Sequence, residues 1–118
     1  MAKCQVGVVG TGVMSTGTAT LLICNRYPTV MYGRTQESCE RGLQAVGAAL
    51  DDLISVGALK KEQKETALSY LTTTTSYGDL AGCAFCIESV SETIEAKREV
   101  MAHLEEVCSP ETVLSSTT

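Results

Sequence analysis

Short apolar runs alternate along the chain with longer stretches whose apolar residues recur at helical spacing, and this alternation sets out the architecture. The run from Cys4 to Val9 is β-branched, apolar and closed by Gly10, the pattern of a strand buried on both faces. From Val13 to about Cys24 the residues are small and apolar, with Met14, Ala19, Leu22 and Ile23 suited to a helix lying close on a sheet. Pro28 then precedes a second short strand, Thr29–Tyr32. Leu43, Val46, Leu50, Leu53 and Ile54 mark one face of a long amphipathic helix that Gly57 would stop. Lys60–Tyr70 predicts a more exposed helix, with Lys61 and Glu65 one turn apart. Thr72–Thr75 is β-prone, either a strand or an extended connection, and Ala84–Ile87 predicts a further strand. Val100, Leu104 and Val107 belong to a helix running from about Thr93 and stopping before Pro110, and Thr112–Ser115 opens a last strand.

Strands alternating with helices predict an α/β fold built on a parallel sheet with right-handed crossovers. At 118 residues the chain suits one domain over 1–118, without repeats, low-complexity tracts or a linker. A hydrophobic share of 44% with an ordinary charged share indicates a globular chain. The net charge of −5 argues against a nucleic-acid partner, because phosphate contacts need clustered Lys and Arg. It leaves open a small anionic ligand held by backbone N–H groups at a helix N-terminus. No apolar stretch reaches membrane-spanning length and no secretory signal is visible, so a cytoplasmic location and reduced cysteines are expected. Cys83 and Cys86 have C-x-x-C spacing, but on a single strand they would face opposite ways. No second pair completes a zinc site, so they read as buried core thiols and no metal site is expected.

The segment from Gly7 to Ser15 (GVVGTGVMS) follows a predicted strand and opens a predicted helix. Gly10 would allow the tight turn, and Gly12 would let the backbone approach a pyrophosphate resting on the helix that Val13 and Met14 begin. A nicotinamide dinucleotide is the expected ligand. Ser15 stands where G-x-G-x-x-G has its third glycine, so the helix is expected to move outward slightly, with Gly17 partly compensating. A second departure lies at the end of the second strand. A carboxylate there usually accepts from the ribose hydroxyls, but this chain has Gly33 followed by Arg34. NAD is therefore the expected cofactor and NADP the alternative, with Arg34 opposite its 2′-phosphate. In the plainer reading Arg34 is solvated and the site has lost affinity.

Four stretches together resemble the N-terminal, NAD-binding domain of the 3-hydroxyacyl-CoA dehydrogenase family, nearly end to end from Lys3 to Thr118. Val6–Ala19 (VGVVGTGVMSTGTA) is similar to the family's glycine-rich opening, and Val30–Arg34 (VMYGR) to its second strand. Ile87–Lys97 (IESVSETIEAK) resembles its I-E-A-V-x-E-x-x-x-x-K signature, and Pro110–Thr118 (PETVLSSTT) the approach to its S-N-T-S motif. The resemblance implies a Rossmann-like doubly wound parallel sheet with an incomplete second half. It implies oxidation of L-3-hydroxyacyl-CoA to 3-ketoacyl-CoA in fatty acid metabolism. It places Ser89 and Val90 beside the nicotinamide ribose through backbone contacts, with Glu92 accepting from that ribose and Lys97 reaching its hydroxyls or a neighbouring polar group. Read without it, Glu92 and Lys97 are an ordinary helix start and a solvated face.

The family's asparagine position is Thr117, and its histidine–glutamate pair lies further downstream, so no catalytic residue is assigned and the 118 residues alone are expected to be inactive. His103, mid-helix, reads as structural or solvated. Lys60, Lys61 and Lys64 lie in a region that in the family leans toward CoA, although a solvated face is the simpler reading. Acyl-CoA is thus an expected partner of the full-length enzyme only. A downstream half would cover the sheet and the helix near Val100 and Leu104, so the chain alone is expected to form homo-oligomers. Two other readings stand beside this one: a non-catalytic nucleotide-binding module, and a sister dehydrogenase acting on a gulonate- or carnitine-type hydroxy substrate.

Overall fold

The computed structural model describes residues 4–88, 94–107 and 113–116, with backbone alone at 94–97 and 113–116. Each apolar run forms a strand: β1 Val6–Val9, β2 Thr29–Tyr32, β3 Leu71–Thr74, β4 Phe85–Glu88 and β5 Val113–Ser116. The helices are α1 Val13–Cys24, α2 Gln36–Ser55, α3 Gln63–Leu68 and α4 Ile94–Val107, with a 3₁₀ turn at Tyr77–Leu80. Among the described residues the strands form one parallel sheet in the order β3-β2-β1-β4-β5. That order reverses direction between β1 and β4, which is the switch point of a doubly wound α/β unit.

β1 is the central strand, with Val8 opposite Met31 on one side and Ile87 on the other. Its residues feed two cores. Val8 and Met31 pack with Ala19, Ile23, Val46 and Leu50 of α1 and α2. Val9, Val30 and Tyr32 pack on the opposite face with Leu80, Cys86, Val100 and Leu104. Burial from both sides explains why β1 and β2 are apolar runs rather than alternating ones. Gly7 belongs to the second core, where a Cβ would come within 3.0 Å of Cys86 Sγ and Leu80 Cδ2 and 3.3 Å of Cys83 Sγ.

Helix boundaries follow local chemistry. Thr35 Oγ1 accepts from Ser38 N at 3.1 Å to start α2, and Gly57, at φ +79°, lets the chain leave it. α3 is shorter than the Lys60–Tyr70 pattern predicts. Lys60 N donates to Gln63 Oε1 ahead of the helix, Ala67 is its one buried residue, and Tyr70 O accepts from Thr29 N at the start of β2. Pairing with the sheet therefore takes Tyr70 out of the helix. Thr72–Thr74 lie in a true strand.

One expectation holds and another is corrected. Cys83 and Cys86 are buried thiols, Cys83 lying before β4 starts at Phe85, and both sulfurs reach the same bare backbone at Gly7. A hydrogen bond with Cys86 holds the Cys83 thiol below its ordinary range, against the opposing effect of burial. Val100 and Leu104 are buried within the chain itself. The exposed apolar side chains lie elsewhere, Leu21 (67%) and Val56 (76%) among them.

Because Gly7 leaves no room for a side chain, Gly7→Val should destabilise the fold by about 1–3 kcal/mol through overpacking. Urea denaturation would show this as a lower midpoint with an unchanged slope.

Candidate dinucleotide-binding site

The turn after β1 lies at the carboxyl end of the sheet's central strand. Gly10 adopts φ +123°, a backbone conformation that strains any residue with a Cβ, and its N–H donates to Tyr32 O at 2.8 Å. The end of β1 is thereby tied to the end of β2. Gly12 follows as the N-cap of α1 and supplies no side-chain cap, and the first turn carries no acidic residue. The first amides of a helix have no intrahelical partner, and a Cβ at Gly12 would meet nothing within 4 Å. Val13 and Met14, 88% and 59% exposed, begin the helix beside this open space. An uncapped N-terminus free of carboxylates, reached over a bare glycine, suits a pyrophosphate.

Ser15, in the first turn of α1, is fully buried in place of the third glycine. Gly17 does not compensate for it: Gly17 is exposed, and a Cβ there would touch nothing within 4 Å. The close contact that positions the turn comes from Thr11, which the sequence reading missed. Its Cγ2 lies 3.2 Å from where a Cβ would stand at Gly33 and 3.0 Å from one at Gly42. Gly42, a glycine inside a predicted helix, was the available signal, since such a glycine often marks close packing.

Gly33 is buried and donates its N–H to Thr74 O at 3.0 Å. Cys39 Sγ, which donates to the same carbonyl at 3.4 Å, would lie 2.8 Å from a Cβ at Gly33. Arg34 next to it is exposed. Glu88 was also missed. It lies one residue beyond the predicted strand, fully buried at the carboxyl end of β4 and opposite Val9. Ser89, Val90 and Glu92 lie outside the described residues; Lys97 falls in the first turn of α4, its side chain likewise outside.

On the far face three rings form a column. Tyr32 stacks on Tyr77 at 4.1 Å between centroids, and Tyr77 on the exposed His103 at 4.7 Å. Burial, reinforced by a hydrogen bond with Tyr32, pushes the Tyr77 hydroxyl well above the ordinary phenol range, with Arg34 opposing. Among the described residues Lys64 pairs with Asp51 at 2.8 Å, no other ion pair forms, and no group of three or more His, Cys, Asp or Glu could hold a metal ion. No described helix is long and apolar enough to cross a membrane.

Strand order and glycine turn together define a dinucleotide-binding domain of the doubly wound class. The chain belongs to the 3-hydroxyacyl-CoA dehydrogenase, NAD binding domain family, which it matches over residues 5–118, and NAD is the cofactor of that domain. It is 32% identical over 114 residues to the peroxisomal fatty acid beta-oxidation multifunctional protein of Oryza sativa subsp. japonica, covering 97% of this chain and 16% of that protein. It is also 32% identical over 113 residues to 3-hydroxyadipyl-CoA dehydrogenase of Escherichia coli (strain K12), covering 96% of this chain and 24% of the relative. The fold superposes on FadB2 of M. tuberculosis with a TM-score of 0.95 at 30% identity, covering all of this chain and 42% of that one. The chain thus spans between one sixth and two fifths of the length of these relatives.

Gly12 and Gly10 should behave oppositely on substitution. Gly12→Ala, at φ −77° and facing open space, should keep the unfolding midpoint yet weaken NADH binding roughly tenfold or more by calorimetry. Gly10→Ala should cost about 1–3 kcal/mol of stability. Tyr77 stays protonated in the folded chain where an unfolded phenol would ionise. Stability should therefore be complete below the ordinary phenol pKa of about 10 and fall as pH rises above it. Tyr77→Phe should reduce that alkaline slope in pH-dependent denaturation.

Proposed function

We propose that this chain is the cofactor-binding part of an enzyme that reversibly oxidises an L-3-hydroxyacyl-CoA to the 3-ketoacyl-CoA in fatty acid metabolism. The family match over residues 5–118 carries the reading. The uncapped start of α1 beyond Gly10 and Gly12 supports it physically. When bound, NAD supplies the hydride acceptor. This chain's residues bind and orient it: the amides beyond Gly12 face the pyrophosphate, Val13 and Met14 flank it, and Gly33 and Arg34 border the adenosine ribose. By resemblance, Ser89 and Val90 line the nicotinamide ribose, Glu92 accepts from it and Lys97 reaches its hydroxyls.

The proton of the 3-hydroxyl is taken by the family's histidine–glutamate pair, downstream of the matched region, so acyl-CoA engages the longer enzyme. 3-Hydroxyadipyl-CoA, named for the Escherichia coli relative, is a thioester of this class. The cytoplasmic location and self-association belong to the same proposal, with Leu21 and Val56 offering exposed apolar contacts.

Calorimetric titration with NADH should show saturable binding at one site per chain, without turnover of 3-hydroxybutyryl-CoA by the 118 residues alone. Absence of NADH binding would remove the cofactor role. Turnover would show that the proton acceptor lies within this chain.

A further inference from the structure

The adenosine end of the site departs from the pattern that makes a dinucleotide domain reject a 2′-phosphate. That rejection normally comes from a carboxylate at the end of the second strand, which accepts from the 2′-hydroxyl and repels the phosphate. The position is Gly33, where a Cβ would stand 2.8 Å from Cys39 Sγ, 3.1 Å from Cys39 N and 3.2 Å from Thr11 Cγ2, so a side chain would require these neighbours to shift. Two of these neighbours are fixed independently. Cys39 Sγ is bonded to Thr74 O, and Thr11 is also packed at Gly42.

The next position carries a cation instead. Arg34 is exposed, and among the described residues no ion pair or hydrogen bond engages its guanidinium. On α2, Arg41 Nη2 donates to Ser38 Oγ at 3.4 Å. The same Ser38 Oγ accepts from Thr35 Oγ1 at 3.1 Å. The acidic neighbours Glu37 and Glu40 lie on the helix rather than at the strand end, and neither is paired with Arg34 or Arg41.

Resting on the cofactor-binding reading above, we infer that the site accepts the 2′-phosphorylated dinucleotide at least as tightly as NAD, with Arg34 as the residue that sets this specificity. A guanidinium presents planar paired donors to phosphate oxygens, and charge-assisted bonds of this kind are stronger than neutral ones. Acceptance of NADP would extend the cofactor range of the domain without altering the hydride chemistry.

The test is calorimetric titration of the full chain with NADPH, NADH, 2′,5′-ADP and 5′-AMP, repeated with Arg34→Gln. The exposed position of Arg34 allows that substitution without disturbing the core. NADPH binding as tightly as NADH or more so, 2′,5′-ADP exceeding 5′-AMP, and at least a tenfold selective loss for the phosphorylated ligands in Arg34→Gln are expected. NADH binding more tightly than NADPH would overturn the inference and leave the cofactor role intact. So would an Arg34→Gln variant with an unchanged ratio. Failure of both dinucleotides to bind would overturn the inference and the cofactor role together.

Discussion

The Cγ2 methyl of Thr11 packs into space that exists only because Gly33 and Gly42 lack side chains, and the turn after β1 takes its position from that contact. A Cβ at either glycine would approach Thr11 within 3.0–3.2 Å, closer than ordinary packing allows without movement. Gly10 holds the same turn from the other side through its N–H on Tyr32 O, in a backbone conformation tolerated by glycine. Between these two restraints the start of α1 is left uncapped and open. The open helix start thus depends on dense packing directly behind it.

The packing behind the turn also decides the chemistry at its edge. Thr11 and Cys39 pack against the bare backbone of Gly33, so the customary strand-end carboxylate would have to displace them. Loss of that carboxylate is therefore part of how β1, β2 and α2 fit together rather than an isolated substitution. Arg34, one residue on, escapes the packing and faces solvent. Its charge is then available to whatever occupies the adenosine end.

β1 makes a comparable bargain on its other face. Gly7 gives up a side chain so that Leu80, Cys83 and Cys86 can close over the sheet, and Val9 lies in the same core with Val100 and Leu104 from α4. Tyr32, Tyr77 and His103 extend that face as a stacked column joining β2, the 3₁₀ turn and α4. Stacked rings contribute beyond their buried area, so the column supports the layer that closes the second core.

Much of the architecture was legible locally. β1, α1, β2 and α2 follow from apolar runs, helical spacing, the Gly10–Gly12 turn and the stop at Gly57, because these signals act over a few residues. The end of α3 was not legible, since Tyr70 leaves the helix to bond with Thr29 across the sheet. Nor was the meeting of Cys83 and Cys86 at Gly7, which depends on how the chain before and within β4 packs against β1. The sequence by itself determined the strand–helix alternation, the glycine turn and the absence of a ribose carboxylate. Only the tertiary structure decided that a side chain at Gly33 would meet Cys39 and Thr11, that Gly17 gives no close contact and that Thr11 packs behind the turn. Each of those depends on atoms from distant segments meeting at van der Waals distance, and neither periodicity nor local propensity records such meetings.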